Sequence, residues 1–226
     1  MIKINSPNTV LANSLTDAVD LIKPRIEINK PREVVFCVGT QINGVPHIGT
    51  YLVQCASFVL ARKVREKFGV KTRVEFGALD NAPFDVVKSN GGYSYQRTCY
   101  HAVPQEELGG LIRDHYTPYF DSLNESTDVE YSWSTYTDTQ ASALFRRHFL
   151  KTLKHSEQIR WCVGPSSGTM RIRIPCPKCK YAEKYADRTE LIGFDETSAS
   201  FKCMCLNHGQ YKSVITADGN DGEYLD

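Results

Sequence analysis

No stretch of this 226-residue chain approaches the run of roughly 18 apolar residues that spans a bilayer, and no basic segment leads into an apolar one at the N-terminus. A membrane helix and a secretory leader are therefore not expected, and the sequence points to a cytoplasmic protein. Charge of one sign is lacking too: 27 Lys and Arg stand against 26 Asp and Glu, a formal net charge of +1. Nothing global draws the chain to nucleic acid, so any RNA contact has to be local. Internal repeats and low-complexity tracts are absent. Eight cysteines are present, and in a reducing compartment they point to free thiols and a metal site rather than a disulfide framework. An apolar content of 41% suffices for one ordinary core with an appended module.

The most informative segment runs from residue 34 to residue 50. Val34-Val35-Phe36-Cys37-Val38 reads as a buried strand closed by Gly39-Thr40, and Pro46-His47-Ile48-Gly49-Thr50 opens a helix. Leu52, Val53, Ala56, Val59, Leu60, Val64 and Phe68 keep helical spacing up to Gly69, which sits where a C-terminal cap belongs. Phosphates bind where such a turn feeds a helix, because free backbone N–H groups and the positive end of the dipole converge there. Gly49 offers bare backbone against which an adenine ring can lie. A protonated His47 has two ring donors for a polyphosphate; its alternative role is a capping or turn histidine. A second strand, followed by an acidic turn at Asp80-Asn81, completes by Phe76 the strand-helix-strand unit from which a doubly wound sheet is built, with ligands beyond the carboxyl ends of the strands. Gly39, Thr40 and Asp80 lie at such ends, and Asp80 either contacts substrate or caps the next turn.

Ahead of this unit, Ser14 caps a short helix over 14–22 that Pro24 closes. After it, 88–96 reads as a flexible connection through Gly91-Gly92 carrying Tyr93 and Tyr95, and 106–123 as a helical insertion interrupted at Pro118. Val129-Glu130-Tyr131-Ser132-Trp133 alternates like a strand, 139–159 carries one helical stripe, and Gly164-Pro165-Ser166-Ser167-Gly168 is a hinge. The basic run 62–67, with Lys71 and Arg73, is a solvated helix end or, less simply, an RNA patch. His101, Trp133 and the two tyrosines line an amino-acid pocket or pack. Cys37, Cys55, Cys99 and Cys162 have no partner at a readable spacing.

The strongest metal signal is Cys176-Pro177-Lys178-Cys179 followed by Cys203-Met204-Cys205-Leu206-Asn207-His208-Gly209, with a spacer long enough for two strands. Tetrahedral zinc takes four thiolate or imidazole ligands, and ligands two residues apart on a tight turn reach one point. Cys176 and Cys179 form one such pair. Cys205 with His208 repeats the spacing, whereas Cys203 with Cys205 would also supply two thiolates, so one of these three is surplus. Four protein ligands leave no open position, which makes the zinc structural.

Pro46-His47-Ile48-Gly49-Thr50 resembles the HIGH signature of class I aminoacyl-tRNA synthetases, with Thr50 in place of the last histidine. The features that follow are the strand and acidic turn over 72–83, Tyr100-His101-Ala102-Val103-Pro104, Asp114-His115-Tyr116-Thr117-Pro118-Tyr119-Phe120 and the Cys-x-x-Cys element. Their order is similar to that of class I lysyl-tRNA synthetases, over roughly 34–211. The resemblance implies a doubly wound α/β domain, Rossmann-like and HUP-type, over 34–165 with a helical insertion. An N-terminal extension over 1–33 would precede it, and a zinc ribbon over 166–215 and an acidic tail over 216–226 would follow. It also implies that an amino acid, lysine, is activated by ATP with Mg2+ and transferred to tRNA. His47 and Thr50 would be catalytic, and Gly39, Thr40, Pro46, His47, Gly49, Thr50 and Asp80 would bind ATP or substrate. The family's second signature, a lysine-rich loop of the KMSKS type, does not follow the ribbon. The expectation is therefore a partial or split enzyme completed by a second polypeptide. Two alternatives stand beside it: a non-catalytic paralogue that binds ATP, aminoacyl adenylate or tRNA, and a zinc-ribbon RNA adaptor.

Overall fold

A computed structural model of the protein describes residues 10–219 and residue 225. Its first half holds helix α1 (Val10–Asn29), strand β1 (Glu33–Gln41), α2 (Ile48–Phe68), β2 (Lys71–Leu79), β3 (Pro83–Lys88), β4 (Ser94–Thr98), α3 (Cys99–Ala102), α4 (Gln105–Leu111), a π turn (Ile112–Tyr116) and α5 (Thr117–Thr127). There follow β5 (Glu130–Thr135), α6 (Tyr136–Ala141), α7 (Ala143–Leu153), α8 (Ser156–Val163), β6 (Ala182–Glu183), β7 (Glu190–Phe194), β8 (Ser198–Cys205) and β9 (Gly209–Thr216). The elements divide into two compact units: residues up to 40 with 44–78 and 110–134, and residues 41–43 with 79–109 and 135 onward.

The first unit is a parallel three-stranded sheet in the order β1-β2-β5, with helices on one face. Strand β2 alternates, burying Thr72, Val74, Phe76 and Ala78. Phe76 stacks on Tyr116 at 5.0 Å and meets Phe120 edge-on at 4.9 Å, and Phe58 of α2 and Tyr131 of β5 complete the aromatic core. The opposite face is polar. Arg73 bridges Glu33 at 3.3 Å and Glu75 at 3.2 Å and donates to Ser132. A doubly wound sheet carries helices, and hence apolar side chains, on both faces; this one is amphipathic, so the shared ground is the parallel α/β arrangement. The expected short helix ending at Pro24 is corrected, because α1 runs through that proline to Asn29. The proline removes one backbone donor, but Val19, Ile22 and Ile26 pack against Leu60, Val64 and Phe68 of α2 and Val34 and Phe36 of β1. That burial makes α1 part of the core and not a preface to it.

Ion pairs engage most of the basic run. Arg62 meets Glu66 at 2.7 Å, Arg65 meets Asp128 at 3.2 Å, Lys67 meets Asp20 at 2.6 Å, and Lys71 reaches Glu33 and Glu130. This is the solvated-face reading. The interruption expected at Pro118 is the π turn before α5, with the proline in the first turn of that helix, where its missing N–H costs little.

In the second unit the expected flexible connection is a hairpin: β3 pairs antiparallel with β4, Val87 opposite Tyr95. Gly92, at φ 82, takes the left-handed position of the turn, and Ser89 N–H donates to the Tyr93 carbonyl at 2.8 Å. Strand β6 adds to β4, and β7-β8-β9 form a separate antiparallel meander. Leu150 and Leu153 of α7 cover that meander through Ala199, Phe201 and Ile215, with Ile172 and Ile174 filling the same core. Residues 166–215 are thus grouped in one compact unit with 79–109 and 135–165. The single helix expected over 139–159 is three helices. Thr135 and Asp138 cap α6 reciprocally, Ser142 accepts from Phe145 N–H to start α7, and α8 begins after His155. The acidic tail has a buried anchor: Leu225 sits in the α7 core, and Tyr136 Oη donates to its carbonyl at 3.1 Å. The remaining tail residues, 220–224 and 226, lie outside the described set. Among the described residues no helix is long and apolar enough to cross a membrane.

Candidate functional site

Four of the five predicted metal ligands converge. The ligand atoms of Cys176, Cys179, Cys205 and His208 all lie within 4.8 Å of one another. Cys179 Sγ is 3.3 Å from Cys205 Sγ, and His208 Nδ1 is 3.5 Å from Cys205 Sγ and 3.6 Å from Cys176 Sγ. Zinc bonded to sulfur at about 2.3 Å in a tetrahedron spaces its ligands by roughly 3.8 Å, so the residues fit a divalent metal such as zinc. Two tight turns build the site. In the first, Lys180 N–H donates to the Cys176 carbonyl at 2.9 Å, and Cys176 N–H to the Tyr181 carbonyl at 3.0 Å. The second closes the β8–β9 hairpin, where Cys205 faces Gly209 in register and Gly209 takes φ 68. Burial works against a Cys176 thiolate, yet the N–H groups of Cys179 and Lys178 aimed at its sulfur prevail, and its pKa falls below the ordinary thiol value. Burial pushes Cys179 up to about 11; a bound cation would overrule that by binding the thiolate directly.

Cys203 is the surplus ligand. It lies on β8 two residues before Cys205, opposite Tyr211, and is buried in the apolar core with Leu150 and Phe201. Two residues of strand separate the sulfurs by about 6–7 Å of rise, and burial raises the Cys203 thiol to about 11.

The second predicted site divides between the units. In the first, β1, the turn and α2 hold Gly39, Thr40, Pro46, His47, Gly49 and Thr50. His47 is the N-cap of α2, and its Nδ1 accepts from Gly49 N–H at 3.1 Å. That bond assigns the neutral tautomer with the proton on Nε2, leaving one outward ring donor instead of the two of an imidazolium. A Cβ at Gly49 would meet His47 Cε1 at 2.9 Å, so a side chain there would displace the capping ring. The bare backbone of Gly49 accommodates the capping ring itself. Thr50 N–H donates to the His47 carbonyl at 3.0 Å, while Gly39 and His47 are exposed and Pro46 is half-buried.

Asp80 belongs to the second unit, where its Oδ1 accepts from Thr137 N–H at 3.0 Å in the first turn of α6 and its carbonyl accepts from Tyr100 N–H at 2.9 Å. Burial raises its pKa, against the lowering effect of the Thr137 bonds. The partner of its carboxylate is thus the start of a helix distant in sequence and not the turn that follows it.

Sequence reading missed Gln54. In the second turn of α2, this fully buried amide donates from Nε2 to Thr40 Oγ1 at 3.3 Å, while its Oε1 has no donor among the described residues. A glutamine in a helix carries no local signal of burial. Trp133 is exposed, Tyr95 is buried, and His101 Nδ1 lies 3.0 Å from Thr98 Oγ1. The four remaining cysteines, Cys37, Cys55, Cys99 and Cys162, are free thiols.

No family model matches the sequence, and a search of curated proteins finds no match.

Proposed function

We propose that the first unit is a class I aminoacyl-tRNA synthetase-like nucleotide site, Rossmann-like and HUP-type. In this reading ATP with Mg2+ and an amino acid, lysine, give an aminoacyl adenylate and pyrophosphate, and the aminoacyl group then passes to tRNA. The observation that carries the reading is His47 held as N-cap of α2 at the carboxyl end of β1, its Nε2–H facing outward from a helix N-terminus. Phosphate charge is stabilised at such a position by backbone N–H groups, the helix dipole and a preorganised donor.

The order β1-β2-β5 supports a partial site. In a doubly wound sheet the first strand is internal, flanked by the second and the fourth, whereas among the described residues β1 is an edge of this sheet. Completion of the sheet by a further polypeptide segment follows from that reading. The alternative, a non-catalytic module that holds ATP, an aminoacyl adenylate or tRNA, is favoured by the role His47 already has as a cap. ATP–pyrophosphate exchange with lysine and the other amino acids, run on the chain alone and with any co-purifying polypeptide, separates the two. Exchange dependent on lysine and weakened by His47→Ala supports catalysis. ATP binding without exchange under either condition supports the binding module, and no ATP binding at all refutes both.

A further inference from the structure

The second unit contains a cavity of about 510 Å³, within the range of small-molecule sites. None of the residues discussed as a metal or nucleotide site lines it. Its floor is apolar, formed by Leu153, Met170, Ile172, Leu191 and Phe201. Helix α8 forms one wall through Ser156, Glu157 and Arg160, although that helix buries none of its own residues. It therefore stands beside the core without closing onto it.

Backbone conformation singles out the same place. Gly168 (φ 64), Arg171 (φ 53) and Ala186 (φ 54) all line the cavity in the left-handed region. Glycine adopts that region freely, but arginine and alanine do so at a cost, and such positions gather at ligand clamps. The charges of the lining are unevenly committed. Glu157 pairs with Arg160 at 3.1 Å and Glu190 with Lys202 at 2.9 Å. Among the described residues Arg160 retains an Nε–H without an acceptor and Arg171 has no partner. Asp187, also in the lining, is exposed to solvent.

We infer that this cavity binds a small amphipathic anion: an aryl or alkyl body lies on the Leu191–Phe201 floor, and a carboxylate or sulfonate meets Arg171 and Arg160. Burial of the apolar body drives entry, and the guanidinium forks suit a two-oxygen head group.

The test uses the full chain and 8-anilinonaphthalene-1-sulfonate, whose fluorescence reports an apolar site, with 3-phenylpropionate and its neutral amide as competitors. The dye is expected to bind one per chain. The acid should displace it about tenfold more effectively than the amide, because a charge-assisted hydrogen bond is worth about that factor. Arg171→Gln alters an exposed side chain and keeps the fold; it should weaken the dye and the acid about tenfold and leave the amide unchanged. Leu191→Trp, checked by near-ultraviolet circular dichroism, should fill the cavity and abolish displaceable binding. Absence of dye binding at millimolar concentration overturns the inference. So do equal displacement by acid and amide, and binding that is indifferent to Arg171→Gln.

Discussion

Cys203 and Cys205 lie two residues apart on one strand, yet serine should loosen the metal at Cys205 and leave it in place at Cys203. Structural zinc in small units binds with an apparent free energy of roughly 10–16 kcal/mol. Shared among the four converging ligands, that is on the order of 3 kcal/mol for each, or about a hundredfold in affinity. Cys205→Ser removes one of those ligands and should let a chelator strip the metal about a hundred times more readily. Amide exchange should then accelerate in β7, β8 and β9, where the second turn is anchored. The α1, α2 and sheet contacts of the first unit contain no ligand and should keep their protection. Cys203→Ser instead puts a hydroxyl among Leu150, Phe201 and Ile215, at a cost of about 1–3 kcal/mol, reduced where Tyr211 and Thr189 approach the same atom. Metal content should stay at one per chain. The assay is elemental analysis of protein purified without chelator, followed by chelator competition and hydrogen exchange on both variants. Loss of metal from Cys203→Ser with retention in Cys205→Ser would refute the assignment, and absence of metal from the unmodified protein would refute the site.

Two further outcomes are expected. His101 is pushed down to about 4, first by burial and then by Lys180 and Arg97; between about pH 6.5 and 4 the unfolded chain therefore binds a proton that the folded chain refuses. Stability contributed by neutral His101 is full above about pH 6.5 and declines as the pH falls through that window, by at most about 3 kcal/mol. Urea midpoints at several pH values should slope less in His101→Gln, and parallel slopes would contradict this. Gly49→Ala places a Cβ against the His47 ring and should cost about 1 kcal/mol by breaking the cap. In a His47→Ala background the same change should be nearly neutral, and a double-mutant cycle giving simple additivity would show that the ring is not the obstacle.

Local covalent geometry made part of this protein readable from residues alone. The apolar run 34–38, the turn at 46–50 and Gly69 placed β1 and the whole of α2, because side-chain period and the left-handed C-cap are local properties. Pairs spaced Cys-x-x-Cys and Cys-x-x-His likewise fixed two knuckles, since each turn presents its own two ligands. Contacts between distant residues decided the rest. Nothing local distinguishes Cys203 from Cys205; the register of β8 with β9 sends one into the core beside Phe201 and leaves the other at the hairpin end. Gly91-Gly92 suits a loose connection and a tight hairpin equally, and pairing of β3 with β4 selects the hairpin. The stripe over 139–159 reads as one helix because α6, α7 and α8 share a hydrophobic period, while the breaks are made by caps at Ser142 and after His155. Pro24 reads as a stop, but burial of Val19, Ile22 and Ile26 outweighs the single hydrogen bond it removes. Spacing along the chain dictates what neighbours in sequence can do together, whereas only packing dictates which of them meet anything else.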